Sequence, residues 1–326
     1  MKDRVRQKLL VTGATGFVGN ALLKRLVDDG RFTLLAGVRR SNTCNFPSVE
    51  PVPMGDIDAG GNWLSALQGV DQILHTAARV HVMHDSSSDP LNEFRRVNVD
   101  GTLNLARQAA KAGVRRFIFI SSIKVNGEGT LEGGAYCADD NPQPVDFYGI
   151  SKMEAEQGLR ALMDETGMEV VIIRPPMVYG PGVKANFLTM MRWLHKGVPL
   201  PFGAIYNRRS LVALDNLIDL LVTCVDHPAA ANQTFLVSDG EDLSTTELLR
   251  RLSIALGKPS YLLPIPSIIL EAGAAILRKR ALSQRLCGSL QVDIDKTRDL
   301  LSWNPPVGVD QALRNTAKHF LEQQFK

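Results

Sequence analysis

The chain has 326 residues, 44% apolar and 22% charged, the profile of a soluble globular protein long enough for two domains. Its net charge of +3 gives general nucleic-acid binding no bulk support. Cys44, Cys137, Cys224 and Cys287 are scattered, with no CxxC pair or metal-ligand spacing, so a reducing cytoplasm and no metal are expected.

In chain order, "MKDRVRQKLLVTGATG" begins with basic residues before an apolar run. The run is too short for a targeting segment and passes straight into a glycine motif. Residues 8–12 predict a buried strand, 13–19 a turn, 17–29 a helix and 32–38 a second strand. Further strands are predicted at 70–78 and 115–122, with a helix over 89–112 that ends at Gly113. A helix over 146–166 has Asp146 as its N-cap and Gly167 just past its end. The strand 168–176 stops at Pro175 and Pro176. Apolar strands alternating with helices imply a parallel sheet covered on both faces.

After Pro176 the pattern loosens, and a smaller domain over 177–326 is expected to follow the first, 1–176, with a strand or two returning. The run 186–197 has helical spacing, mostly core, with Asn186 facing ligand. Residues 261–277, "YLLPIPSIILEAGAAIL", are the most membrane-like stretch. Pro264, Pro266 and Glu271 interrupt it and it falls short of a span, so no integral membrane segment is expected. A buried or interface helix is predicted there, and the "RKR" that follows leaves a peripheral membrane contact open. His81 and His84 lack further ligands at usable spacing, which favours a loop near a substrate over a metal site.

Two clusters carry chemistry. Gly13, Gly16 and Gly19 lie between a predicted strand and helix. There, glycine lets the backbone approach a pyrophosphate while a helix N-terminus offers free N–H groups. A Rossmann-type doubly wound α/β sheet follows, with a mixed α/β substrate domain. Strand two ends Val38-Arg39-Arg40 without an acid, which favours NADP(H) over NAD(H), since a guanidinium suits a 2′-phosphate. Asp56, in "GDID", is placed to accept from an adenine amine. The second cluster is "YGISK": Tyr148 and Lys152 share one helix face. An ammonium beside a phenol lowers its pKa, and the tuned phenol can move a proton at a carbonyl oxygen. Ser121 and Ser122 end the strand "FIFISS" at the sheet edge where such sites form.

With these motifs, "HTAA" (75–78), "VNVDGT" (97–102), "RPPMVYGPG" (174–182), "NRRSLVALDNLIDLL" (207–221) and "DKTRDLLSWNPP" (295–306), the chain is similar to the extended short-chain dehydrogenase/reductases, especially the nucleotide-sugar branch. The resemblance implies Tyr148 as acid/base, Lys152 as its activator and ribose ligand, and Ser122 rather than Ser121 as the partner hydroxyl. It implies that Gly13, Thr15, Gly16, Phe17 and Val18 cradle the dinucleotide, with Arg39, Asp56, Ile57, Ala77, Ala78, Asn98, Pro175 and Val178 around it. Asn186 and Arg209 resemble groups that grip a nucleotide diphosphate. Asp299 stands where many relatives carry a further arginine, with Arg298 displaced by one. "AARVHVMHD", "SSIKVNGE" and "RPPMVYGPGVKANF" are similar to a bacterial subgroup that reduces UDP-4-keto-6-deoxy-N-acetylhexosamines for surface polysaccharide such as O-antigen. The expectation is therefore an NADPH-dependent 4-ketoreductase, a homodimer by resemblance. The alternatives are a UDP-sugar 4-epimerase with bound NAD and a non-catalytic NADP sensor.

Overall fold

A computed structural model describes residues 6–40, 46–80, 89–276 and 280–324, and side chains outside 277–283. Seven parallel strands form the main sheet: β1 (Lys8–Thr12), β2 (Thr33–Val38), β3 (Glu50–Pro53), β4 (Gln72–His75), β5 (Arg116–Ile120), β6 (Glu169–Arg174) and β9 (Thr234–Leu236). Their order is β3-β2-β1-β4-β5-β6-β9. The chain winds outward from β1 to β3, then restarts on the other side at β4. That reversal opens a crevice at the carboxyl ends of β1 and β4, where such sheets bind ligands. A second sheet joins β10 (Asp242–Leu243), β8 (Arg209–Ala213) and β7 (Met177–Tyr179) in that order.

Successive strand residues point to opposite faces, and both faces are apolar. Leu9, Val11, Leu34, Ala36, Ile118 and Ile173 pack with the helices Phe17–Asp29 and Leu214–Asp226. Leu10, Leu35, Ile73, Phe117, Phe119 and Ile172 pack with the helices Thr102–Lys111 and Phe147–Thr166.

The predicted helix 89–112 is not continuous. It runs as Pro90–Arg95, a π-helical turn Arg96–Gly101 and then Thr102–Lys111. Gly101 permits the break, since a Cβ there would lie 2.5 Å from the Ile57 carbonyl oxygen. The predicted helix in 261–277 exists as Ser267–Ile276, but it is not buried: none of its residues is.

A buried ion pair fixes the end of β6. Arg174 and Glu156 are each 2% exposed. The guanidinium donates to the carboxylate through Nε (2.9 Å) and Nη2 (2.6 Å), and Ser121 Oγ donates to the same carboxylate at 2.5 Å. Removing one partner strands the other's charge. Glu156→Ala is expected to cost about 3–5 kcal/mol in urea unfolding. A loss below about 1 kcal/mol, the range of a surface pair, would contradict this.

Candidate active site

The glycine turn is a backbone cradle. Gly13 has φ +69°, and a Cβ there would lie 2.7 Å from both Ala77 N and Thr76 Oγ1. A Cβ on Gly19 would lie 2.2 Å from Gly13 O. Gly16 caps the helix Phe17–Asp29 with no side-chain hydrogen bond, and the first turn holds no acid. The first-turn N–H groups, including those of Phe17 and Val18, thus lack a side-chain cap, and their dipole end favours an anion. These features fit a dinucleotide pyrophosphate. Thr15 stands exposed in the turn, and Ala77 and Ala78 follow β4 half-buried beside it.

Asn98 lies in the π-helical turn and ties this crevice to the catalytic helix. Its Nδ2 donates to Arg79 O and to Ser151 Oγ, both at 3.0 Å, and its Oδ1 accepts from Arg79 N at 2.8 Å. Arg39 and Asp56, expected at a 2′-phosphate and an adenine, pair with each other at 3.2 Å. Both are well exposed, at 84% and 68%, so the pair contributes little to stability, but it offsets the guanidinium's charge. Ile57 is half-buried against Gly101.

Tyr148 and Lys152 occupy the first two turns of Phe147–Thr166. Asp146 caps that helix, accepting from Gly149 N at 2.7 Å, and Gly167 ends it in the left-handed conformation. Gly149 is needed for close approach: a Cβ would lie 2.7 Å from Lys124 O. The Tyr148 hydroxyl faces that of Ser122, which favours its ionised form, and Ser122 Oγ accepts from Lys124 N at 3.3 Å. Lys152 Nζ donates to Ile120 O at 2.7 Å and sits 4.2 Å from the Phe119 ring centroid. Ser121 faces the other way, onto Glu156.

The ionisation of this pair differs from expectation. Lost hydration, then the Asp146 carboxylate, push Tyr148 up to about 12, while the Ser122 hydrogen bond opposes them. Burial brings Lys152 down to about 7, opposed by the Glu156 carboxylate. Desolvation penalises the charged form of each group and outweighs the expected ammonium–phenolate help. His75, which sequence reasoning did not single out, lies beneath them between Thr12 Oγ1 (2.7 Å) and Thr102 Oγ1 (3.0 Å). Burial, then Lys152, lower it to about 3, so it is a neutral core histidine.

On the substrate side, Pro175 O accepts from Ile123 N at 3.0 Å and Val178 lies half-buried in β7. Asn186 is exposed at the start of the helix Ala185–His195. Arg209 opens β8 and donates to Gly288 O at 2.9 Å. Burial lowers its pKa; Glu128 opposes that and Arg285 adds to it. The charge of Arg285 thus reaches both Arg209 and Asp146. Nothing in the local sequence pattern marks Arg285. Arg298 is engaged by Asp295 at 3.1 Å. Lys124 pairs with Glu128 and Asp146 at the rim. His81 and His84 lie outside the described residues. Among the described residues, no three His, Cys, Asp or Glu side chains gather to hold a metal.

Residues 9–238 match the NAD dependent epimerase/dehydratase family. The chain is 49% identical over 320 residues to a UDP-glucose 4-epimerase of Vibrio cholerae, covering 98% of this chain and 97% of that protein. Its fold is similar to a UDP-glucose 4-epimerase of Thermotoga maritima solved with UDP-glucose, at TM-score 0.78 and 21% identity over 98% of this chain and 100% of that one. It is also similar to a UDP-glucuronic acid 4-epimerase of Bacillus cereus solved with NAD, at 0.79 and 20% over the same shares. The 49% identical relative overturns the expected 4-ketoreductase. That expectation leaned on the basic end of β2 and on the resemblance to a reductase subgroup. With a family match over more than two thirds of its length and a relative aligned along nearly all of it, the chain belongs to the NAD-dependent epimerase/dehydratase family.

Proposed function

We propose that this protein is a UDP-sugar 4-epimerase working with bound NAD. The observation that carries the reading is the Tyr148 phenol facing the Ser122 hydroxyl, with buried Lys152 one turn along the same helix and a glycine cradle after β1. The name of the Vibrio cholerae relative supports the reaction and the nucleotide. The Arg39–Asp56 pair supports NAD over NADP, because the guanidinium already faces a carboxylate. The same reading gives residues 1–176 to the dinucleotide and 177–326 to the sugar nucleotide, with β9 lent back, in a cytoplasmic homodimer.

The bound dinucleotide supplies reversible hydride acceptance. The chain's own residues manage the oxygen. Ser122 and Tyr148 hold the sugar C4 hydroxyl between them. Tyr148 takes its proton as the carbonyl forms and returns it once the keto sugar has turned its other face. An ammonium at Lys152 favours the phenolate that takes this proton, against the burial that disfavours both charges. Arg209 and Arg285 hold the diphosphate, and Asn186 lies at the edge of that grip.

Purified protein given UDP-glucose or UDP-N-acetylglucosamine, without added cofactor, is expected to form the galacto product by NMR. Recovery of both substrates unchanged would contradict the reading. Heat-released dinucleotide is expected to be NAD, and NADP would reverse the cofactor assignment. Tyr148→Phe is expected to lower kcat about 10²–10⁴-fold, the usual worth of a positioned acid/base. Arg209→Ala or Arg285→Ala should raise KM about tenfold or more with a smaller change in kcat, since a charged hydrogen bond is worth about 1.5–3 kcal/mol. An unchanged KM would remove that arginine from the grip.

Lys152 also gives a pH signature. Its folded pKa, about 7, lies below its ordinary 10.5. Between those values the unfolded chain binds a proton that the folded one does not, so this group makes stability rise with pH. The stability of dinucleotide-free Lys152→Met relative to wild type should therefore be most favourable below pH 7 and decline toward pH 10.5. A difference independent of pH, read by urea unfolding, would contradict the depressed pKa.

A further inference from the structure

Ser122 and Tyr148 reach the site on separate elements. Ser122 caps the short 3-10 helix Ile123–Val125 after β5, and Tyr148 rides on the helix Phe147–Thr166. Three parts of one residue, Lys124, span the gap between them. Its backbone N–H donates to Ser122 Oγ at 3.3 Å. Its carbonyl oxygen would lie 2.7 Å from a Cβ on Gly149, so the two elements meet there backbone to backbone. Its ammonium donates to Asp146 and, at 2.8 Å, to Glu128. Asp146 caps the helix of Tyr148, and its other oxygen accepts from Gly149 N at 2.7 Å.

The charge of Lys124 acts as well as its reach. Asp146 stands two residues before Tyr148, and its carboxylate opposes the phenolate that takes the sugar's proton. An ammonium bonded to that carboxylate offsets the opposition. The pair is 26% and 31% exposed, so water screens it incompletely. The other charged groups around the phenol are engaged elsewhere. Lys152 is held on Ile120 O, and neutral His75 and the Arg174–Glu156 pair lie below. From the helix Pro90–Arg95 the Phe94 ring packs 6.1 Å from the Tyr148 ring, with the Arg79 guanidinium 5.7 Å from the Phe94 centroid. Arg95 and Arg96 there engage Glu154 and Glu93. Arg285 also reaches Asp146, with less effect than Lys124.

We propose that Lys124 is a positioning residue for the proton transfer: it ties the Ser122 turn to the cap of the Tyr148 helix and neutralises the Asp146 carboxylate beside the phenol. The inference rests on the epimerase reading and is tested on the dinucleotide-bound protein through the pH profile of kcat with UDP-glucose. Below the midpoint of its acid limb, turnover follows the phenolate fraction, so disfavouring the phenolate moves that limb to higher pH. Lys124→Gln, which keeps a donor but no charge, should raise the midpoint by about one pH unit and lower kcat at pH 7 about tenfold, with KM little changed. Lys124→Arg should keep the wild-type profile. Lys124→Gln combined with Asp146→Asn should return the midpoint, since asparagine still caps the helix but carries no charge. An acid limb unmoved in Lys124→Gln, or moved equally with and without Asp146→Asn, would overturn the proposal and leave the epimerase reading standing. A wild type that leaves UDP-glucose unchanged would contradict that reading and the proposal with it.

Discussion

Lys152 is 2% exposed, and a single carbonyl and the face of Phe119 replace the water that its amine has given up. That contact joins the helix Phe147–Thr166 to the last residue of β5 and fixes the site's geometry. Tyr148, Lys152 and Glu156 are spaced by four on the same helix, so they form one stripe facing the sheet. At the end of β5 the adjacent serines diverge: Ser122 meets Tyr148, while Ser121 meets Glu156. Glu156 then holds Arg174 at the end of β6. The reactive hydroxyls are thereby set above a buried ionic layer that joins two strands to the helix carrying the phenol.

The strands from 8, 32, 115 and 168, and the caps Asp146 and Gly167, were legible because period and capping chemistry are local. β3 was not, since "EPVP" carries two prolines and is tolerated only at the sheet edge, where one side needs no ladder partner. The π-helical turn at 96–101 was hidden because the close packing of Gly101 on Ile57 is non-local. For Ser267–Ile276 the sequence left a buried and an interface helix open, because an apolar composition suits both, and the fold exposes it.

In the site, spacing and context brought out Tyr148, Lys152 and the glycine turn. Their ionisation was not readable, because desolvation is set by tertiary packing, and burial reversed the expected tuning of the phenol. The cofactor inference from Arg39 likewise rested on local sequence alone. Asp56, from a loop beyond β3, pairs with Arg39 at the surface, a contact the sequence does not show. Arg285, on a helix far along the chain, exerts its charge on Arg209 only because of the fold.

The account holds that oxidation and reduction occur at one carbon within one closed cycle, with Tyr148 moving only the oxygen's proton. The most direct measurement is the turnover of a UDP-sugar carrying deuterium at C4, followed by mass spectrometry and NMR of the epimer. The account predicts that the product keeps the label at C4 with no net consumption of reduced dinucleotide. Loss of the label to solvent, or a product formed only in step with added NADPH, would contradict it.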